Sequence, residues 1–495
     1  MAEPSALAQK TASGAMWTIA VGLLSRMLGL MGSFILTRFL APDVYGAVNA
    51  AQVVVLTAYF ATSLGLGQYI VAHPEADRQS IFTATVLYLG LGPIALGVIY
   101  LLRVPIAEYI NAPGMVQYLP GLAIAVLLDR LWYIPDRLMV RDMRFREIGI
   151  RNTVSDLLYT VASVALAIRG WGGNAIVVAT LLRAVLRGVM TVPAVSYREW
   201  LTPSPLSREK LREMLRFGVP LNLASLANFG SQKWDNLVMT GLFGERVGGL
   251  YNIAWNVADI PASQVGERVG DVLVPSFRKL EPERRKAALV RSLTMLSLLV
   301  FPLAVGLGAV APTLLNDTIF KAEWEPAGPL LAVLSALGVT RPIGWVISSY
   351  LQVHGRTRTI MVLEWLKVIA IVGGIAALGA AGGQLWACAG VGLAFGLHAL
   401  ASLALVRRLD GISYATLLRP LVGPLLACVP LVAAVLAVRY GLRPFHGLPR
   451  GARLTSEIVA GGLAFVLSAL VVAPRASRDF LGLVKDVIRR RGRKS

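Results

Sequence analysis

The chain has 495 residues, of which 56% are hydrophobic and only 15% charged, and it carries a net charge of +20. A mean hydropathy of +0.64 excludes a soluble globular domain, whose surface needs far more charge. The basic excess is not a nucleic-acid footprint, because the arginines and lysines gather at alternate ends of apolar stretches, as the positive-inside rule predicts.

The first stretch, 13–40, is long enough to cross a hydrocarbon core of about 30 Å, which takes roughly 20 apolar residues. Arg26 lies in its middle. A charge there costs about 2.5–3.5 kcal/mol, against about 0.3–0.6 kcal/mol returned by a leucine. No acidic residue lies within one turn, so Arg26 is expected to face a polar cavity. Arg38 is near the outer end, where its long stem can carry the charge to the interface. The stretch is too long for the apolar part of a cleavable signal peptide, and no small-residue cleavage site follows it.

Five further spans are expected at 43–72, 80–102, 115–140, 148–168 and 174–197. In the fourth, Asp129/Arg130 and Asp136/Arg137 are expected to pair. In the sixth, Arg183 and Arg187 stand at i and i+4 and share one helix face. Two like charges in a membrane need anions, and Asp156 in the fifth span is available to one of them. Structural pairing and substrate binding are both open for this constellation.

A polar linker, LTPSPLSREKLRE, occupies 201–213 and marks a boundary. A second set of spans follows at 214–242, 246–278, 286–311, 327–353, 359–380 and 384–406, with two more near 418–438 and 455–474. In the seventh span, Gln232, Lys233, Asp235 and Asn236 make a polar break. In the eighth, Asp259 and Glu267 are candidates for coupling to H⁺ or Na⁺, since Glu267 and Asp271 form an i, i+4 carboxylate pair of the kind that raises a pKa. Glu364 and Lys367 read as a self-contained ion pair, His398 as a core residue, and Cys388 and Cys428 as small core residues outside any disulfide framework.

The second set repeats the first. ILTRFLAPDVYGAVN from Ile35 lies over VMTGLFGERVGGLYN from Val238 without a gap, so that Thr37 meets Thr240, Val44 meets Val247, Gly46 meets Gly249 and Asn49 meets Asn252. An even number of spans per half makes this a parallel repeat, about an axis along the membrane normal. The expected architecture is an all-α polytopic membrane protein of about 14 helices: an N-lobe at 1–200, the linker 201–213, a C-lobe at 214–410, two helices at 411–474 and a basic tail at 475–495. The basic clusters put both termini in the cytoplasm, and the tail is expected to meet anionic phospholipid. Arg439, Arg443, Arg450 and Arg453 fall on the outer side, against the rule.

There is no HExxH, paired CxxC, GxSxG or phosphate-binding glycine loop. The longest connections are short, so the sequence makes no case for an enzyme or a cofactor. Nucleic acid is not an expected partner.

Several stretches bear a family likeness. SRMLGL (Ser25–Leu30) with LTRFLAPDVYG (Leu36–Gly46), RLMVRDMRFREIGIRN (Arg137–Asn152), KWDNLVMTGLFGERVGGLYNIAWNVADIP (Lys233–Pro261) and VLVPSFRKLEPE (Val272–Glu283) resemble the multidrug/oligosaccharidyl-lipid/polysaccharide exporter superfamily. The closer match is to its Wzx-like polysaccharide transporters, over about residues 10–410. The resemblance implies a flippase of a bacterial inner membrane. Such a protein moves a polyprenyl-diphosphate-linked oligosaccharide outward by alternating access, without covalent chemistry, among other polysaccharide assembly proteins. It places Arg26 near the diphosphate. Together with the residue reading, it nominates Arg26, Arg38, Arg183, Arg187, Lys233 and Asp235 for substrate, with Asp259 and Glu267 for the coupling ion. A lipid II flippase and a cation-coupled multidrug exporter of the same superfamily are the competing readings. The second would want an acidic cavity.

Overall fold

The computed structural model describes residues 29, 31–261, 273–274, 276–278, 280–317, 320–442, 450–474, 476–480 and 482. Arg26 and Glu267 lie outside the described residues. Within them the chain is helical, without a strand. Residues 31–36 are helical, and then come α1 (Pro42–Ala61), α2 (Leu66–Ala72), α3 (Arg78–Leu101), α4 (Arg103–Tyr109), α5 (Met115–Leu131), α6 (Tyr133–Arg141), α7 (Phe145–Ile168), α8 (Asn174–Thr191) and α9 (Tyr197–Trp200). The next helix, α10 (Arg208–Pro261), is interrupted at Gly244, where φ is 83° and ψ 173°. It is followed by α11 (Pro282–Asp317), α12 (Ala327–Leu337), α13 (Arg341–Val353), α14 (Thr357–Gly382), α15 (Gln384–Asp410), α16 (Tyr414–Gly441) and α17 (Arg450–Val472).

Nine helices among the described residues are long and apolar enough to cross a membrane, and α5 with α6 makes a tenth, bent by 41°. The long helices that fall short are α7 and α10, and these carry Arg151 and Asp156, and Lys233 and Asp235. Their polarity has to be matched by protein or water rather than by lipid.

The chain divides into two compact units, Met1–Gly249 and Leu250–Ser495. In the first, Leu66, Ile70, Tyr88, Leu138 and Met214 are among the residues of a buried core. In the second, Leu293, Ile347, Tyr350, Leu403 and Leu431 belong to another.

The repeat is visible in local geometry. The break at Gly244 falls on Ala41, the residue that precedes α1, at the register that pairs Gly46 with Gly249. A second pair of turns matches at a spacing of 212 residues. In one, Met143 (φ 56°) donates to the Val140 carbonyl at 3.1 Å and Arg144 to that of Met139 at 3.0 Å. In the other, Gly355 (φ 70°) donates to Gln352 at 3.1 Å and Arg356 to Leu351 at 3.1 Å. Arg144 and Arg356 then open their helices with nearly equal dihedrals, φ −79°, ψ 45° and φ −86°, ψ 43°. The spans before these turns are both broken, at Trp132 and at the 3₁₀ turn Gly338–Thr340. At this register Arg341 occupies the place of Asp129, so the backbone repeats while the charge inverts.

In the second unit α16 and α17 are pinned to α11 by a buried ion pair. Arg439 donates to Glu457 through Nε at 3.1 Å and Nη2 at 2.9 Å, and to the Ala309 carbonyl at 2.5 Å. Glu457 also accepts from Thr313 at 2.8 Å and is 2% exposed. Arg439 is therefore not a free charge against the positive-inside rule; its helix partner neutralises it.

The linker 201–213 is clipped to the turn before α3. Asp77 caps α3 by accepting from the Ser80 N–H at 3.1 Å, and it pairs with Lys210. Gln79 donates to the Pro205 carbonyl at 2.8 Å, and Tyr69 to Glu213 at 2.9 Å. Hydrogen bonds from Lys210 and Ser80 hold the Asp77 carboxyl down at about 2, from an ordinary 3.8. A depressed carboxyl contributes above its free pKa and loses that contribution as pH falls through the folded value. Pepsin cleavage within 201–213 is thus expected to be slow near pH 4 and to rise as pH drops through about 2. Asp77→Asn is expected to expose Arg208, Lys210 and Arg212 to trypsin at neutral pH. Equal trypsin rates for wild type and variant would remove the clip.

Candidate functional site

The bend between α5 and α6 shapes the site. Pro135 has no N–H, and its ring clashes with the carbonyl four residues back, at Leu131, so the helix cannot run straight. Asp129 and Asp136 straddle the bend seven residues apart, nearly two full turns, and so lie on the same side of the span. Beside them is a cavity of about 240 Å³ lined by Tyr59, Trp132, Tyr133, Asn152 and Thr191 together with Asp129, Asp136, Arg137, Arg151 and Arg187. At ~30 Å³ per water it has room for about eight waters, the scale of a headgroup rather than of an oligosaccharide.

Two classes of ion pair meet here. The tight class is centred on Asp136, which contacts both Arg137 and Arg151. Arg151 is further held by the Thr191 hydroxyl at 3.0 Å and by Asn152 at 3.1 and 3.3 Å. The loose class lies along α8. Asp156 Oδ1 is 3.5 Å from Arg187 Nη2 and 3.9 Å from Arg183 Nη1, and Asp129 Oδ2 is 3.9 Å from Arg187 Nη1. The Nε atoms of Arg183 and Arg187 are buried and have no hydrogen-bond partner among the described residues. Arg183 also lies 4.8 Å over the Tyr159 ring. Arg137, Arg151, Arg183 and Arg187 against Asp129, Asp136 and Asp156 leave one positive charge in excess. Guanidinium forks with open donors beside a small cavity are suited to phosphate or carboxylate oxygens.

Asp156 thus serves both α8 arginines, where one was expected. The expected Asp129/Arg130 pair does not form. Successive residues on a helix project about 100° apart, and Arg130 points away from the cavity. It is 1% exposed and donates to the Tyr88 carbonyl at 3.0 Å, the Tyr59 carbonyl at 3.2 Å and the Thr62 hydroxyl, with its guanidinium 4.5 Å from the Tyr88 ring. Arg130 ties the C-terminal end of α1 to α3 and leaves Asp129 to Arg187.

The other nominated residues go elsewhere. Arg38 is exposed in the turn before α1. Asp235 is fully buried and accepts from the backbone N–H and Nδ2 of Asn236 at 2.8 and 2.9 Å, and Lys233 is half-buried. This part of α10 packs on α1 through Asn49–Asn236 at 3.3 Å and Trp234–Thr57 at 3.0 Å.

In the second unit, Asp259 pairs with Arg341. The sequence reading passed over Arg341, although it is a charge inside a span, the same signal that singled out Arg26. Its guanidinium lies 4.4 Å from the Trp255 ring and 4.7 Å from that of Phe395. Glu364 pairs with Lys367 at 2.5 Å, as expected, and His398 lies nearly buried 3.8 Å from the same carboxylate. Cys388 and Cys428 are buried.

A family model described as "Polysaccharide biosynthesis protein" matches residues 35–329, more than half of the chain. The lipopolysaccharide biosynthesis protein WzxC of Escherichia coli is 25% identical over 428 residues, covering 84% of this chain and 82% of that one. The succinoglycan biosynthesis transport protein ExoT of Rhizobium meliloti is 27% identical, covering 72% of each. Among solved structures, the lipid II flippase MurJ superposes with a TM-score of 0.73 at 10% identity, over 92% of this chain and 98% of that one. A multidrug resistance MATE family transporter of the MOP superfamily superposes with a TM-score of 0.61 at 17% identity, over 78% and 96%. At those identities the two structures establish the fold alone. The chain belongs to the polysaccharide biosynthesis protein family.

Proposed function

We propose that this protein is a flippase that moves a polyprenyl-diphosphate-linked oligosaccharide outward across the bacterial inner membrane for polysaccharide biosynthesis. It works by alternating access between an N-lobe at 1–200 and a C-lobe at 214–410, without covalent chemistry. Both termini are cytoplasmic, and the basic tail touches anionic phospholipid. The observation that carries the reading is Arg187, which lines a headgroup-sized cavity together with Asp129 and, like Arg183 one turn away on α8, is only loosely countered by carboxylates. The likeness to proteins named for lipopolysaccharide biosynthesis and succinoglycan transport supports it. The family resemblance of the first-span motif also nominates Arg26 for the diphosphate.

An anion moving outward against an inside-negative potential gains about 2.3 kcal/mol per charge per 100 mV. Proteoliposomes loaded with the lipid-linked oligosaccharide test the function. An inside-negative potential is expected to speed outward flipping, and flipping that ignores the potential and follows a proton or sodium gradient would move the drive to Asp235, Asp259 or Glu267. Export of cationic dyes with no movement of the oligosaccharide would return the multidrug reading. Movement of lipid II alone would return the peptidoglycan one.

A further inference from the structure

The cluster holds its own anions. Arg183 and Arg187 bring two positive charges, and Asp129 and Asp156 bring two negative ones, at separations of 3.5–3.9 Å. Two other arginines are held more closely by their carboxylates: Arg439 by both oxygens of Glu457 at 2.9 and 3.1 Å, and Arg151 by Asp136, Thr191 and Asn152. The α8 arginines are balanced in charge but not satisfied in hydrogen bonding, since both keep a buried Nε without a partner among the described residues. An incoming anion can therefore offer them something the carboxylates do not, but only if it also replaces the charge the carboxylates supply.

We propose that Asp129 and Asp156 are specificity-determining residues, resident counter-anions that a diphosphate can displace and a singly charged phosphodiester cannot. The inference rests on the reading of this cluster as the anion site. A bare pair of arginines in a membrane would fill with the commonest anion around it, the headgroup of an anionic phospholipid. With two carboxylates in place, a phosphodiester brings one negative charge against two and meets their repulsion. A diphosphate brings at least two charges and several oxygens able to take bidentate guanidinium bonds. The carboxylates thus set a threshold on ligand charge. A second consequence is that Arg183, Arg187, Asp129 and Asp156 sum to zero when no ligand is bound, so these four add nothing to the single positive charge left by the whole cluster.

The test is binding of two probes to the purified full chain in nanodiscs of neutral lipid: phosphatidylglycerol and a polyprenyl diphosphate. The wild type is expected to prefer the diphosphate. In Asp156→Asn, affinity for phosphatidylglycerol is expected to rise by about tenfold or more, the size of one interaction with a charged group, while affinity for the diphosphate changes less. Asp129→Asn should do the same independently, and Asp156→Glu should keep the wild-type ratio. An unchanged ratio in both Asn variants overturns the proposal, as does an equal loss of affinity for both probes, which marks a purely structural counter-ion. Arg187→Gln separates this from the underlying reading: if it binds the diphosphate as the wild type does, the site itself is wrong.

Discussion

Arg187→Gln is expected to reduce flipping of the lipid-linked oligosaccharide by roughly 100-fold, as the loss of two charge-assisted hydrogen bonds of about 1.5 kcal/mol each would imply. Arg187 is the group through which two elements act on the cavity, since it faces Asp129 on α5 and Asp156 on α7 from its own helix α8. Gln keeps much of the length but loses the charge and the fork. Arg187→Lys keeps the charge as a point and is expected to retain part of the activity. The contrasting variant is Arg130→Gln. That side chain meets no carboxylate in the described structure; it satisfies two backbone carbonyls and a hydroxyl in a nearly closed site. Its loss removes hydrogen bonds to a charged group in a buried site, at about 1.5–3 kcal/mol each, so it should lower the amount of folded protein rather than the activity per molecule. The measurement is flipping rate per folded protein in proteoliposomes for all three variants. Full activity in Arg187→Gln would remove this cluster from the transport path.

The contrast between Arg187 and Arg130 also marks what a one-dimensional reading can reach. Spans, breaks and the repeat were legible because they depend on length, apolarity and the register of turn residues. The Arg183/Arg187 pair with Asp156 was legible because an i, i+4 pair of like charges needs an anion nearby. The pairing of Asp129 was not, because chain neighbours look like partners on paper while helix geometry separates them by about 100°. Arg439 showed only as a breach of the positive-inside rule. Its partner Glu457 is 18 residues on, in the next helix, and nothing local links them. Arg341 was within reach: the mid-span charge that drew attention to Arg26 applied equally to it. Its pairing with Asp259, 82 residues away, depends on how the helices of the second unit pack. The inversion from Asp129 to Arg341 became visible only once the two turns could be overlaid by their hydrogen bonds. Copies of a duplicated backbone keep what holds the turn and are free to differ in what faces the space beside it.

Gly46→Ala is expected to destabilise the protein, by about 1–3 kcal/mol if the structure yields as an overpacked core does. A Cβ at Gly46 would stand 1.9 Å from the Glu245 carbonyl oxygen and 2.8 Å from the Gly249 nitrogen; one at Gly249 would stand 1.9 Å from the Pro42 carbonyl oxygen and 3.0 Å from the Gly46 nitrogen. Each glycine meets the residue four places before the other, so the repeated sequence packs one copy's helix start against the other's about a local two-fold. Backbone atoms line both sides, and no side-chain rotation can relieve the clash. The two helix starts have to separate, and a single separation makes room for both methyl groups. The double variant Gly46→Ala/Gly249→Ala is therefore expected to unfold only slightly below either single one, where independent sites would add. Unfolding midpoints in detergent for the two singles and the double decide this. If the shifts sum, the two glycines do not share one contact. A second readout reports the parting directly: Ala47 is 2% exposed beside the contact, and a cysteine there should react with a water-soluble maleimide faster in the Gly46→Ala background, because separation of the helix starts uncovers it.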